Sequence, residues 1–177
     1  MDVAVGVERF VGQATPENRF SGVVLVAHGN DVHFAQSYNF ACRRFGVPNQ
    51  IDTRFDVASL GKMFTGVAIG QLVDRGLLAF DAPVSQYLPD YPSDVVQRVT
   101  LHHLLTHTSR LSSIFDGSWD VASRARYRDL QELLPYFQDR PLLFNPGTRW
   151  EYSNAGYILL GALIEAATGT PYFDYVR

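Results

Sequence analysis

Lysine and cysteine are almost absent from this sequence. Its 177 residues include one lysine, Lys62, beside fourteen arginines, and one cysteine, Cys42. A single cysteine excludes a disulfide within the chain, and we interpret Cys42 as a small apolar side chain. Because arginine keeps its proton in proteins, Lys62 is the one side-chain amine that can exchange a proton near neutral pH.

Positive charge and long apolar runs are also scarce. The net charge is −3, and the arginines are mostly scattered, which excludes a broad basic surface and argues against nucleic acid as a partner. No apolar run approaches the roughly eighteen residues of a membrane span, and the N-terminus has no basic, signal-like segment. We therefore expect no membrane span and a cytoplasmic location by default, with a periplasmic or secreted location if an N-terminal signal was removed.

The first part of the chain has helix and hairpin patterns. Apolar spacing predicts a helix from Val3 to Ala14. Two β-rich runs, 22–27 and 32–38, flank a His-Gly-Asn-Asp segment and predict a hairpin. A third short run, 54–58, leads into an apolar stretch from Ser59 to Leu78, where Gly76 suits a helix C-terminus.

The second part is mainly helical. Predicted helices are 81–88 with Asp81 as N-cap, 101–107 with Thr100 as N-cap, an amphipathic segment 127–138, and 155–168 closed by Gly169. Residues 108–126 and 141–149 are predicted loops. Thr170-Pro171 predicts one more helix start.

These elements predict an incomplete α+β domain. Two strands and a short third are too few for an independently stable sheet beside so many helices. We therefore expect residues 1–177 to form one partial domain without an internal boundary, whose remaining strands follow Arg177.

Ser59 and Lys62 have a spacing that suits chemistry. Residues at i and i+3 lie on one face of a helix, so the amine can reach the hydroxyl. A helix start and an apolar flank would both favour the neutral amine, which could activate Ser59 as a nucleophile. The alternative is that Ser59 is only an N-cap and that Lys62 is solvated.

A second candidate cluster, Tyr152 and Asn154, follows a Pro146-Gly147 turn and precedes an apolar helix. Side chains two positions apart in an extended segment point the same way. Asn154 could instead be the N-cap of the following helix, and Tyr152 a packed aromatic with a satisfied hydroxyl.

The motifs together resemble a known family. The segments are 59–65 (SLGKMFT), 101–109 (LHHLLTHTS) and 146–157 (PGTRWEYSNAGY), with 81–89 and 161–169 also fitting the pattern. In this order and spacing they resemble the class C β-lactamase-related serine hydrolases, which include penicillin-binding DD-peptidases and β-lactamase-like esterases. The resemblance implies a β-lactamase/transpeptidase-like fold.

The resemblance also implies acyl transfer without a metal or organic cofactor. Ser59 would attack a carbonyl, Lys62 would share in activating it, and Tyr152 would pass the proton to the leaving group. Asn154 would hydrogen-bond the substrate, and the Ser59 backbone N–H would donate to the oxyanion. The expected partner is a small-molecule or peptide substrate, and the oligomeric state stays open.

Two departures from the family pattern limit this expectation. The chain has no K-T-G or H-x-G motif, the third motif of the family, which supplies a second oxyanion donor. Losing such a donor costs about 2.7 to 4 kcal/mol, so we expect the 177-residue chain alone to be inactive or nearly so. Arg110 also replaces the usual glycine after His-Thr-Ser, so the loop there is expected to be rebuilt.

Other interpretations stay open. His103 and His107 are spaced i, i+4, but no glutamate follows the first, so a zinc site is not expected. The chain could be a non-catalytic binding or assembly module, or one half of a two-chain arrangement. Among enzymes, these residues do not separate esterase, peptidase and β-lactamase, although an esterase or amidase is favoured because nothing here matches a β-lactam carboxylate.

Overall fold

The computed structural model describes residues 3–14, 20–91, 95–111 and 129–177. The chain divides into two compact units, Met1–Val57 and Ala58–Arg177. Most of the predicted 108–126 loop and the start of the predicted 127–138 segment lie outside the described residues. Within the described ranges, the helices are all too short or too polar to cross a bilayer.

The first unit contains the predicted helix and hairpin. Helix α1 spans Val3–Ala14. Strands β1 (Gly22–His28) and β2 (Asp31–Tyr38) pair antiparallel, with a bulge after Val26. Gly29 lies in the connecting turn with φ +59°, a conformation that glycine adopts without the Cβ penalty. Both predictions are confirmed.

The predicted third strand is wrong. Residues 54–57 are coil and Ala58 begins a 3₁₀ turn, whereas the additional strands lie earlier, at β3 (Phe40–Cys42) and β4 (Val47–Pro48). Those two strands pair antiparallel with each other. Every side chain from 54 to 58 is exposed, so this segment has no buried face to fix the register of a ladder.

The second unit is helical in its described part. Its helices are α2 (Lys62–Asp74), α3 (Val95–Arg98), α4 (Leu101–Leu105), α5 (Asn154–Thr168) and α6 (Tyr172–Tyr175). Three 3₁₀ turns, Ala58–Gly61, Val84–Gln86 and Leu134–Tyr136, complete the set. Helix α5 packs against α2, α4 and α6.

The core of this unit explains why α5 lacks a polar face. Ile69 and Leu72 of α2 are fully buried, as are Leu159, Leu160 and Leu163 of α5. Each such side chain stabilises the fold by about 1.5 to 3 kcal/mol relative to exposure. The first residues of α2 and α5 are therefore held close together by a shared core.

Both predicted glycine helix ends are confirmed. After α2, the Gly76 N–H donates to the Val73 carbonyl and the Leu77 N–H to the Leu72 carbonyl, with Gly76 at φ +71°. This is the Schellman arrangement that favours glycine. Helix α5 ends on Gly169 at φ +65°.

Several predicted caps and bounds change. The predicted Thr100 cap of α4 is confirmed, because the Thr100 side chain accepts from the His103 N–H. The predicted helix end at His107 is wrong: α4 ends at Leu105, since His107 has φ +58°. The predicted Asp81 cap is wrong: the element is the 3₁₀ turn Val84–Gln86, and Pro83 before it is extended.

Two later predictions also change. The described part of 127–138 forms turns and the short 3₁₀ turn Leu134–Tyr136 instead of a full amphipathic segment. Helix α6 begins after Pro171, without the predicted Thr170 cap. The predicted loop at 141–149 is confirmed.

Candidate active site

Ser59 lies at the centre of a hydrogen-bonded group of side chains. Its Oγ is 2.7 Å from the Tyr152 Oη and 3.1 Å from the Lys62 Nζ, which donates to it. The Lys62 Nζ also donates to the Asn154 Oδ1 at 2.8 Å. The structure thus brings together all four residues that the sequence predicts for the site.

Local backbone geometry presents Ser59 to its partners. Ser59 is exposed and lies in the 3₁₀ turn that continues into α2. Ala58, directly before it, has φ +46°, which costs a residue with a Cβ about 1 to 2 kcal/mol. Strain of this kind at a reactive residue is typical of functional sites. Sequence reasoning missed it because alanine gives no signal for a left-handed position.

The alternative role of Ser59 as a helix cap does not fit these contacts. The N-cap position of α2 is Gly61, which forms no side-chain cap. The Ser59 hydroxyl is instead directed to Lys62 and Tyr152.

Lys62 lies in an environment that suits a positive charge. It is half-buried at the first position of α2, and its Nζ lies 5.0 Å from the ring centroid of Tyr152 and 5.5 Å from that of Tyr157. Aromatic faces attract cations at this range. The amine is therefore held by two oxygen acceptors and two rings, rather than being free in solvent.

Tyr152 and Asn154 reach the site from the segment that enters α5. The N-cap of α5 is Ser153, whose Oγ accepts from the Gly156 N–H at 3.2 Å. The interpretation of Asn154 as the cap is therefore wrong. Because Ser153 fills that role, the Asn154 amide is available to Lys62, and Tyr152 points to the same side as Asn154.

The Tyr152 phenol has a lowered pKa. The hydrogen bond with Lys62 is the largest cause, followed by the bond with Ser59, while partial burial acts in the opposite direction. The side chain is 44% exposed, so solvent can reach it. A lowered pKa increases the fraction of Tyr152 that is present as phenolate, and the phenolate is the form that can accept the Ser59 hydroxyl proton.

His107, which the sequence does not predict to be a zinc ligand, is a neighbour of the site. Its ring stacks at 4.5 Å from the Tyr152 ring and 5.1 Å from the Tyr157 ring, with interplanar angles of 35° and 34°. Its Nδ1 accepts from the Ser153 N–H, and its carbonyl accepts from the Glu151 N–H. Burial, and then the charge of Lys62, lower its pKa.

The loop after His-Thr-Ser keeps a glycine-like backbone at Arg110. Arg110 has φ +65°, so the conformation that glycine would favour is retained despite the side chain. Its guanidinium lies 4.1 Å from the Phe144 ring centroid, and its buried Nε has no hydrogen-bond partner among the described residues. At this residue, the expectation of a rebuilt loop is not met. Residues 112–128 lie outside the described ranges.

A cavity of about 290 Å³ opens beside the Lys62 amine. It is lined by Ala58, Gly61, Lys62, Thr65, Leu130, Asn154, Tyr157, Ile158 and Tyr172. The Thr65 Oγ1 and Tyr172 Oη are 2.6 Å apart and join α2 to α6 across it. Only Lys62 and Asn154 of the candidate site contribute to this wall.

In the part of the chain that the structure describes, no set of metal ligands is gathered near the site. Among the described residues, no group of three or more histidine, cysteine, aspartate or glutamate side chains could hold an ion. His103 and His107 both use Nδ1 to accept a backbone N–H, from Thr100 and Ser153 respectively. Both histidines therefore act as hydrogen-bond acceptors for the backbone.

Comparison with known proteins gives consistent matches. The family model described as Beta-lactamase matches residues 7–177. A penicillin-binding protein of Bacillus subtilis strain 168 is 35% identical over 91% of this chain and 36% of its own length. Esterase EstB of Burkholderia gladioli is 37% identical over 96% of this chain and 46% of its own length.

Solved structures show the same likeness in three dimensions. The crystal structure of a penicillin-binding protein from Bacillus halodurans superposes with a TM-score of 0.81 and 41% identity, covering 94% of this chain and 51% of that one. The chain therefore spans about half the length of the proteins it matches, or less. The predicted fold is confirmed by this likeness.

Proposed function

This chain belongs to the beta-lactamase family of hydrolases, and from that membership we propose that it carries the nucleophile and the proton-transfer groups of a serine hydrolase. The observation that supports this most directly is the Ser59 Oγ, which contacts the Tyr152 Oη at 2.7 Å and the Lys62 Nζ at 3.1 Å. A hydroxyl held by two proton-transfer groups is the arrangement that nucleophilic catalysis requires.

Acylation begins with removal of the Ser59 proton. The Lys62 Nζ donates to both Ser59 and Asn154, so the Ser59 hydroxyl proton is best directed towards the Tyr152 Oη. As that proton moves to a Tyr152 phenolate, the Ser59 Oγ forms a bond to the substrate carbonyl carbon. Lys62 supports the step because its hydrogen bond lowers the pKa of Tyr152.

Collapse of the tetrahedral intermediate completes the acylation. The carbonyl re-forms, the bond to the leaving alcohol or amine breaks, and Tyr152 returns the proton to that group. Water then attacks the acyl-enzyme ester, passing a proton to Tyr152, which later returns it to the Ser59 Oγ as the acid leaves. The Ser59 backbone N–H, at the start of the 3₁₀ turn, is the proposed oxyanion donor within this chain.

The proposed substrate is a carboxylic ester or an amide. The match to a protein named an esterase supports the first, and the matches to penicillin-binding proteins support a peptide or β-lactam carbonyl. We favour an ester or simple amide, because the cation among the four site residues, Lys62, already donates to Ser59 and Asn154 and is not free to bind the carboxylate of a β-lactam. Asn154 is the proposed substrate-binding residue. Its Oδ1 accepts from Lys62, and its side-chain N–H groups would donate to the substrate.

A second candidate is a binding or assembly module without catalysis. The absence of K-T-G and H-x-G from these 177 residues favours it, since the second oxyanion donor then comes from elsewhere or is missing. For the same reason we propose that the 177-residue chain alone hydrolyses substrate weakly or not at all.

Covalent labelling tests the enzyme proposal against this alternative. The full-length gene product is incubated with a fluorophosphonate probe, and the labelled peptide is identified by mass spectrometry. We expect label on Ser59, abolished in Ser59→Ala and retained in Ser85→Ala, a matched control in the 3₁₀ turn Val84–Gln86. A folded protein that takes no label and does not hydrolyse p-nitrophenyl butyrate would reject the enzyme proposal.

A further inference from the structure

The His107 ring separates the two tyrosines of the site. Its centroid lies 4.5 Å from that of Tyr152 and 5.1 Å from that of Tyr157, and both interplanar angles are close to 35°. The Tyr157 end of this stack is fixed, because its Oη donates to the Leu105 carbonyl at 3.1 Å and its side chain is half-buried. Tyr152 is the more exposed of the two tyrosines.

Hydrogen bonds that His107 accepts also fix the backbone on both sides of Tyr152. The Ser153 N–H donates to the His107 Nδ1 at 3.2 Å, and the Glu151 N–H donates to the His107 carbonyl at 2.8 Å. One residue thus binds the backbone N–H groups of the residues before and after Tyr152, as well as contacting its ring. A third ring contact, edge-on at 6.2 Å to Trp150, adds to the same segment.

The backbone of His107 is itself arranged for this contact. His107 has φ +58°, a conformation that costs a residue with a Cβ about 1 to 2 kcal/mol. This conformation ends α4 two residues before the predicted helix end and turns the chain towards the Tyr152 segment. Strain that persists next to a reactive group is consistent with a functional constraint.

Resting on the proposed function, we propose that His107 is a positioning residue that holds the Tyr152 Oη within proton-transfer distance of the Ser59 Oγ. It acts through the ring stack and through the two peptide hydrogen bonds on either side of Tyr152. The ligand that this arrangement serves is the carbonyl substrate of Ser59, and the affected step is proton transfer rather than substrate binding.

A double-mutant cycle with Tyr152 separates this role from a general effect on the fold. Hydrolysis of p-nitrophenyl butyrate is measured with the full-length gene product and with His107→Ala, Tyr152→Phe and the double variant. We expect Tyr152→Phe to lower kcat by about 10² to 10⁴. We expect His107→Ala to lower kcat by about 10², with KM little changed, because misplacing a catalytic group by 1 Å costs about that much.

The decisive comparison is between the kcat of the double variant and that of Tyr152→Phe. If His107 acts through Tyr152, His107→Ala has no further effect once the phenol is gone, so the double variant equals Tyr152→Phe within about twofold. Effects that multiply instead, or a folded His107→Ala with unchanged kcat, would overturn the proposal. If Ser59→Ala and Tyr152→Phe both leave hydrolysis unchanged, it is the proposed function that fails.

A conservative variant and a control complete the experiment. His107→Asn keeps an acceptor for the Ser153 N–H and tolerates a positive φ. Its kcat should therefore be at least about tenfold higher than that of His107→Ala. Should His107→Ala not fold, His107→Asn takes its place in the cycle. Its smaller loss in kcat is still expected to disappear when it is combined with Tyr152→Phe. His102→Ala, on the exposed side of α4, should leave kcat unchanged.

Discussion

The Lys62 Nζ lies 2.8 Å from the Asn154 Oδ1 and joins the first residue of α2 to the first residue of α5. This bond couples the serine-bearing turn to the tyrosine-bearing segment, and both helices are anchored in one core. Displacing either residue therefore changes the surroundings of the Ser59 hydroxyl, as well as the contacts of its immediate neighbour.

Replacing Lys62 with methionine should raise the pKa of Tyr152. The hydrogen bond from Lys62 is the largest cause of the lowered pKa. Its loss leaves the Ser59 hydrogen bond alone to oppose the raising effect of partial burial, so the pKa rises towards its ordinary value. If the phenolate is the base, the ascending limb of kcat/KM moves to higher pH and activity near neutrality falls by about 10² or more. Tyrosinate absorbance, measured against Tyr152→Phe, checks the pKa directly, and an unmoved titration would contradict the argument.

Asn154→Asp tests the same electrostatics without removing an acceptor. The carboxylate still accepts from Lys62, but its negative charge opposes ionisation of the nearby phenol. We therefore expect the pKa of Tyr152 to rise and the ascending limb to move to higher pH. Asn154→Ala serves as the comparison, because it removes the acceptor and adds no charge. A lower pKa in the Asp variant would count against the proposed role of Lys62.

The parts of the site that follow fixed local spacings are visible in the sequence. Ser59 and Lys62 share a helix face at i, i+3, and Tyr152 and Asn154 point one way because extended residues alternate. All four meet in the structure.

What the sequence does not reveal depends on tertiary contacts. Ser153, rather than Asn154, caps α5, and both residue types are good N-caps, so propensity could not separate them. The positive φ of Ala58 has no residue-type signal, and that of His107 has only a weak one. The strand predicted at 54–58 failed for a related reason, since an alternating pattern specifies a strand only where one face is buried.

Arg110 offers a test of retained backbone strain. Arg110 has φ +65° and its guanidinium packs on Phe144. Both Arg110→Ala and Arg110→Gly lose the contact with Phe144, but only the glycine variant relieves the backbone strain. We expect the glycine variant to be more stable than the alanine variant by about 1 kcal/mol, the reverse of the usual order. Urea unfolding of the two variants checks this, and equal midpoints would show that the loop relaxes.

Gly147 should be intolerant of any side chain. It has φ +80°, and a Cβ there would lie 3.0 Å from the His103 Nε2. His103 cannot move away freely, because its Nδ1 accepts from the Thr100 N–H. We expect Gly147→Ala to lower the free energy of unfolding by about 2 kcal/mol. Gly70→Ala, within α2 and with open space around it, should instead stabilise by about 0.5 to 1 kcal/mol. A Gly147→Ala variant as stable as the parent would contradict this geometry.

Acid should weaken the fold through the same two histidines. Burial is the main cause of the lowered pKa of His103 and of His107, and each Nδ1 accepts a backbone N–H, which requires an unprotonated nitrogen. Below the unfolded pKa of about 6.5, the unfolded chain binds protons that the folded chain does not. The contribution of these residues to stability is therefore intact above about pH 6.5 and is lost as the pH falls towards their folded pKa values.

A non-titrating double variant isolates this effect from that of the carboxylates. His103→Gln preserves the side-chain acceptor of a capping box, and His107→Asn preserves the acceptor for Ser153. Neither replacement takes up a proton in this range, so the decline in the free energy of unfolding between pH 7.5 and 5 should be shallower in the double variant. Equal slopes in urea titrations would show that the two imidazoles ionise alike in the folded and unfolded chains.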